Sequence, residues 1–314
     1  MRARPHYTNI PMRTLVNILL GGLVVSGCAL NAANSGVAGS PANTNPNVPG
    51  PIYTIIFENE AASDVIKAPN FFYQLSQQYG TANAYISSTH PSLPNYIVMT
   101  SGSTNGIGND NDPSDPKNQI AGTDNIADQL EGAGIEWRAY GESMGTPCRM
   151  DSDTIYSAHH MPFLYYSSLS TNAARCNERV VDFDQNFATD LAANKYRYVW
   201  ITPNMCNDAH DCPIDTAAQW LQNVVTQIQA SPGYKNGGAI FVTFDEGAVR
   251  VLGAAADLPT IVVSPQLVSP GFHSNTTFGH PGYLATIEDI LGLPRLATTR
   301  DAVPMDEFFL KKTP

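Results

Sequence analysis

Between residues 52 and 291, short apolar runs alternate with stretches in which apolar residues recur every three or four positions. Residues 52–57 (IYTIIF) read as a strand buried on both faces. Residues 70–80 read as a helix, with Phe71, Phe72, Leu75 and Tyr79 at helical spacing and Gly80 as its stop. Strands follow over 81–86, 135–140, 196–202, 239–244 and 260–263, and helices over 123–134, 184–194, 215–230 and 283–291. Strands and helices in alternation predict an α/β fold, a three-layer sandwich with a mainly parallel central sheet covered on both faces. Residues 105–119 read as a polar loop. Residues 141–180 show no clear period and read as an insertion or lid within a single domain over 52–314.

The N-terminus stands outside this pattern. Arg2, Arg4 and Arg13 precede an apolar run over 15–25, followed by Ser26, Gly27 and Cys28. A basic start, a short apolar core and small residues before a cleavage point make residues 1–27 a secretory signal, and the run is too short to span a bilayer comfortably. The Val-Ser-Gly-Cys ending resembles a bacterial lipobox, which implies cleavage before Cys28 and lipidation of that cysteine. The expected location is then the bacterial cell envelope, with the protein held to the membrane by its acyl chains; without lipidation it is secreted. Residues 29–51 are uncharged and rich in Ala, Asn, Gly, Ser and Pro, so 28–51 read as the lipidated cysteine and a flexible tether.

Charge and cysteines narrow the function. The formal net charge is −11, and removing the three arginines of residues 1–27 takes it to −14. So acidic a chain lacks the basic footprint of a nucleic-acid binder, and nothing in it implies a protein partner. Beyond Cys28 there remain Cys148, Cys176, Cys206 and Cys212. An even number in an exported chain points to two disulfides, and near neighbours favour Cys148–Cys176 and Cys206–Cys212 among the three connectivities. The tight C-x-x-C spacing of a zinc site is absent.

Ligands of such folds bind beyond the carboxyl ends of the strands, and those positions are polar throughout. Glu58, Asn59 and Glu60 follow the first strand, and SSTHPSLPNY (87–96) follows the second. Asn204, Asn207, Asp208 and His210 follow YRYVWIT, and Asp245 and Glu246 follow AIFVTF. Adjacent acids at a buried strand end are costly unless neutralised, and Glu58, Asp245 and Glu246 would suit a hard divalent cation. A hydroxyl at a strand-to-helix turn, beside the free N–H groups of the helix, is placed to attack an anionic ester. Ser87, Ser88, Thr89 and Ser92 all qualify on these grounds. His90, His159, His160 and His210 fall in the same segments, and His280 precedes the final helix.

FENE (57–60), HPSLPNY (90–96) with TSGST (100–104), AHHMPF (158–163), TPNMCNDAHDC (202–212), FVTFDEG (241–247) and GHPGYLATIEDILGLP (279–294) resemble the phosphoesterase family. That family holds secreted acid phosphatases and non-haemolytic phospholipases C within the alkaline phosphatase superfamily. The resemblance implies an alkaline-phosphatase-like fold and a hydroxyl nucleophile directly before the x-Pro-Asn turn, which here is Ser92. It implies one divalent cation held by Glu58, Asn59, Ser92, Asp245 and Glu246. It implies that His160 and His210 assist catalysis, and that Asn59, His90, Asn95 and His159 bind substrate. Superfamily members with two metals carry Asp-His where this chain has Asp245-Glu246, and His280 is followed by Pro281-Gly282, which leaves its role open.

The expected reaction is metal-dependent hydrolysis of a phosphate monoester through a phosphoserine on Ser92, with phospholipase C-like phosphodiesterase activity as the alternative. If two histidines must be cationic to hold phosphate, activity falls above about pH 6.5, where free histidine titrates. An inactive ligand-binding envelope lipoprotein is the reading from another class. A sulfatase is disfavoured, because no C/S-x-P-x-R motif is present.

Overall fold

The computed structural model describes residues 46–67, 69–247 and 257–311. The strands are β1 (Ile52–Phe57), β2 (Gly80–Ile86), β3 (Trp137–Gly141), β4 (Val180–Asp182), β5 (Tyr198–Thr202), β6 (Ala239–Phe244), β7 (Thr260–Val263) and β8 (His273–Gly279). They form one sheet in the order β4-β3-β5-β1-β6-β7-β2-β8. All pairings are parallel except those of β7, which runs against both β6 and β2.

The helices are α1 (Ala62–Val65), α2 (Phe71–Gln78), α3 (Ser92–Ser101), α4 (Ile126–Gly132), α5 (Ser167–Ser170), α6 (Ala173–Arg179), α7 (Phe183–Ala193), α8 (Ile214–Ala230), α9 (Pro232–Lys235) and α10 (His280–Leu291). They cover the sheet from both sides. Alternate residues of a strand face opposite ways, so Ile52 and Ile56 of β1 pack with Tyr96 and Met99 of α3, Leu130 of α4 and Ile287 of α10. Tyr53, Ile55 and Phe57 pack with Phe72 and Leu75 of α2, Phe187 of α7, and Leu221, Val224 and Ile228 of α8. The three-layer α/β sandwich expected from the alternation is the observed fold.

Several local features follow from sequence. Asn70 caps α2, its side chain accepting from Tyr73 N. α3 ends on Gly102 at φ +72°, where an added Cβ would lie 2.5 Å from Thr298 Oγ1, so only glycine suits that position. α10 starts three residues earlier than its apolar period suggests, because Pro281 in its first turn needs no N–H partner.

The structure departs from expectation in three places. Residues 46–51, read as the end of the tether, are packed on the domain: Asn47 N donates to Leu310 O at 2.7 Å, Val48 is buried, and the Arg197 guanidinium donates to the carbonyls of Val48 and Gly50. A proline- and glycine-rich segment can pack wherever its carbonyls find donors, and Arg197 supplies them here. The signal, Cys28 and the tether to residue 45 lie outside the described residues. Next, residues 141–180 are part of the core and not a lid over it. Met144, Phe163, Leu164 and Leu169 share one cluster with β5 and α10. Finally, β8 is polar, with only Ser274 and Phe278 of HSNTTFG buried, as suits a strand at the sheet edge. Both disulfides, Cys148–Cys176 and Cys206–Cys212, are formed. No described helix is long and apolar enough to cross a membrane.

Candidate active site

β1 and β6 are paired in parallel up to Phe57 and Phe244. The next residues, Glu58 and Asp245, therefore leave the sheet side by side, and both are fully buried. Ser92 and Tyr96 stand four apart on α3, hence on one face of the helix, and both turn to Glu58. Ser92 Oγ donates to Glu58 Oε2 at 3.1 Å, and the Tyr96 hydroxyl donates to Oε1 at 2.5 Å. Asp245 Oδ1 accepts from Asn59 N at 3.3 Å, while its Oδ2 is buried without a hydrogen-bond partner. Asn59 sits at φ +56°, in the left-handed region that asparagine tolerates, directly after β1.

His160 reaches the same carboxylate from the 158–160 turn. Its ring stacks on Tyr96, with centroids 5.2 Å and planes 9° apart. Nε2 lies 3.3 Å from Glu58 Oε1 and Nδ1 lies 3.4 Å from Asp208 Oδ2, neither aligned for a hydrogen bond. Asp208 is fully buried, and its carbonyl accepts from Glu58 N at 2.9 Å. His210 lies two residues on, exposed, with its ring 6.2 Å from that of His160. Its Nδ1 is 2.7 Å from Asp211 Oδ1. Ala209 between them holds φ +80°, a strained value for a residue with a Cβ.

A second group lies beside the first. Glu246 Oε2 is 2.7 Å from His90 Nδ1 and accepts from Asn95 Nδ2 at 3.2 Å. Asn95 is fully buried and holds the turn: its Oδ1 accepts from Ser88 N and Thr89 N, and its Nδ2 donates to the carbonyls of Thr89 and Pro91. The residue expected to touch substrate thus has its polar atoms engaged within the chain. The Asp110 carboxylate accepts from Leu93 N at 2.9 Å in the first turn of α3. His159 packs edge-on against His160 and lies 3.8 Å from Asp112. His280, whose role was open, is fully buried: Nε2 donates to the Asp245 carbonyl at 2.6 Å, which leaves Nδ1 to accept from the Tyr85 hydroxyl. It fixes the backbone that carries Asp245.

The electrostatics follow from burial. Glu58 is held well above the usual carboxylate range by burial, then by Asp245 and Asp208, against the hydrogen bonds from Tyr96 and Ser92. Burial, then Glu246, does the same to Asp245. Burial pushes Asp208 and Glu246 each up to about 7. It pushes His160 down to about 3 and His159 to about 4. Removal of the His160 ring from water therefore weighs against a cationic role for it in holding phosphate. Sequence reasoning also passed over Asp208, Tyr96 and Asp110. Asp208 stands in a strand-end segment already singled out, and Tyr96 is four residues from Ser92, which is the available signal.

Among the described residues, no three His, Cys, Asp or Glu side chains stand together as a ready metal site. The donors that do converge are the carboxylates of Glu58 and Asp245 and the Ser92 hydroxyl, with one Asp245 oxygen unpartnered. Buried acids lacking a counter-charge, all with hard oxygen donors, fit a divalent cation in their chemistry. Glu246 points to His90 and Asn95, on the outer side of this set.

The fold is that of the alkaline phosphatase superfamily. A solved member from Vibrio parahaemolyticus superposes with a TM-score of 0.57, covering 83% of this chain and 70% of that one at 12% identity. The phosphoesterase family model matches residues 66–294, and the chain belongs to that family. An acid phosphatase of Aspergillus fumigatus is 29% identical over 285 residues, which is 85% of this chain and 62% of the fungal protein. A phosphatidylinositol-3-phosphatase of Mycobacterium tuberculosis is 24% identical over 266 residues, 82% of each chain.

Proposed function

We propose that the protein hydrolyses phosphate monoesters with a bound divalent cation, through a phosphoserine on Ser92, while lipidated at Cys28 on the bacterial cell envelope. The observation that carries this reading is the Ser92 hydroxyl at the start of α3, hydrogen-bonded to Glu58 and beside Asp245. The acid phosphatase relatives and the mycobacterial phosphatidylinositol phosphatase support the monoester class.

Glu58, Ser92 and Asp245 would hold the cation, with Asn59 and Glu246 alongside. When bound, it supplies positive charge for the phosphoryl oxygens and lowers the Ser92 pKa. Ser92 Oγ passes its proton toward Glu58 Oε2 and attacks phosphorus, and the bond to the leaving alcohol breaks. His210, at the accessible rim, gives the alcohol its proton. Water then attacks the phosphoserine from the side the alcohol left and gives a proton back to His210, while Glu58 returns its proton to Ser92 Oγ as the Ser92–phosphorus bond breaks and phosphate leaves. His160, neutral and stacked on Tyr96, packs between Glu58 and Asp208 against the carboxylate that receives the Ser92 proton. His90 and His159 line the approach.

A panel of a chromogenic monoester, a chromogenic diester and phosphatidylcholine, each with and without chelator, tests this. Monoester turnover at least tenfold above the other two, abolished by chelator and restored by added divalent metal, is expected. Preference for the diester or for phosphatidylcholine would replace the monoesterase with a phospholipase C-like enzyme, and full activity under chelation would remove the cation.

A further inference from the structure

Glu142 directly follows β3, two strands away from β1 in the sheet, and takes no part in the chemistry above. It is nevertheless buried, and three N–H groups converge on it. Asn204 N donates to Oε2 at 2.9 Å, and Trp220 Nε1 donates to Oε1 at 2.8 Å. Asn207 Nδ2 lies 2.9 and 3.0 Å from the two oxygens. Every partner is a donor, so the position demands a group that only accepts, which an ionised carboxylate does and an amide does not. Two of the three donors belong to the segment after β5, where Asp208 and His210 reside.

That segment is organised from the anchored residues outward. Asn204 Oδ1 accepts from Cys206 N and Asn207 N, and its carbonyl accepts from Asp208 N at 2.8 Å. Asp208 Oδ1 in turn accepts from His210 N at 2.8 Å, and the Cys206–Cys212 disulfide closes the loop. A continuous path of hydrogen bonds therefore runs from Glu142 through Asn204 to Asp208, which faces His160, and to His210 at the rim. The strained Ala209 between them shows that the surroundings hold the loop in place and that its own backbone preference does not.

We infer that Glu142 is a positioning residue: its carboxylate fixes the 203–212 loop so that Asp208 meets His160 and His210 meets the substrate. This rests on the phosphoesterase reading of the site. Glu142→Gln keeps the size and turns an amide NH2 toward N–H donors. In the full-length protein, with a chromogenic phosphomonoester, it is expected to lower kcat at least tenfold while the chain stays folded by circular dichroism. Trp220→Phe removes the one donor outside the loop and leaves both loop contacts, so it is expected to keep wild-type kcat. The double variant Glu142→Gln/His210→Ala is expected to be no slower than the slower single variant, since both remove the same contact.

Wild-type kcat in Glu142→Gln, or equal losses in Glu142→Gln and Trp220→Phe, would overturn the inference; multiplied losses in the double variant would overturn the part that runs through His210 and assign the positioning to Asp208. Wild-type kcat in His210→Ala, with Glu142→Gln still slow, keeps the positioning role, assigns it to Asp208, and removes His210 from the mechanism above. If Glu142→Gln does not fold, Asn207→Ala carries the same test from the loop side, with the same tenfold loss expected and a wild-type kcat contrary to it.

Discussion

Replacing Ser92 with alanine is expected to reduce phosphoester turnover at least about 10³-fold, a rise of about 4 kcal/mol in the barrier, while leaving a folded protein. The size follows from the role: without the hydroxyl no covalent phosphoryl intermediate can form, and what remains is the electrostatic environment alone. The fold survives because Ser92 sits in the first turn of a helix whose packing comes from Tyr96, Ile97 and Met99. One buried acceptor, Glu58 Oε2, loses its donor, which costs about 1–3 kcal/mol. Circular dichroism and a thermal melt separate this modest loss from unfolding. Alanine variants of Ser87 and Ser88 are the controls, since both belong to the approach to the turn and neither has a hydrogen bond to the carboxylates.

Asp245→Asn is expected to abolish turnover and metal binding together, and at the same time to stabilise the metal-free protein at neutral pH. Asp245 is buried with one oxygen unpartnered and with Glu58 and Glu246 as neighbours. The folded pKa values of these acids lie above their ordinary ones, so folding favours the protonated forms. Their contribution to stability is complete below about pH 4, the ordinary carboxylate range. It is lost as pH rises through about 7, the value to which Asp208 and Glu246 are pushed. With chelator present, wild-type protein is therefore expected to melt at lower temperature at pH 8 than at pH 5. Asp245→Asn removes one of the four acids and should flatten that dependence. Divalent metal at pH 8 should raise the wild-type melting temperature and leave the variant unmoved. Melting curves at both pH values, with metal analysis of the purified proteins, check each part; a variant less stable than wild type at pH 8 without metal would contradict the electrostatic picture.

Much of this arrangement is legible in the sequence because a strand buried on both faces is an unbroken apolar run, and whatever follows it is abruptly polar. IYTIIF before Glu58 and AIFVTF before Asp245 show this plainly, and their common register in the sheet brings the two acids together. The strand β8 was not legible, because an edge strand has little apolar surface to bury. Residues 141–180 hid their place in the core because 3-10 turns at Ala158–His160 and Pro162–Tyr165 carry no helical period. Asp208 and Tyr96 were visible as residues, yet their meeting with His160 depends on three segments distant in sequence. The protonation of His160 was beyond the sequence altogether, since it is set by burial in the assembled fold.

The most direct test of the central claim is to quench the full-length enzyme in denaturant at neutral pH, where phosphoserine and phosphohistidine both survive, during turnover of a phosphomonoester and map the phosphoryl group by peptide mass spectrometry. Phosphate on the peptide spanning residues 87–102, localised to Ser92, is the predicted result. A phosphoryl group on a histidine or another residue, or no modified peptide while turnover proceeds at full rate, would contradict it.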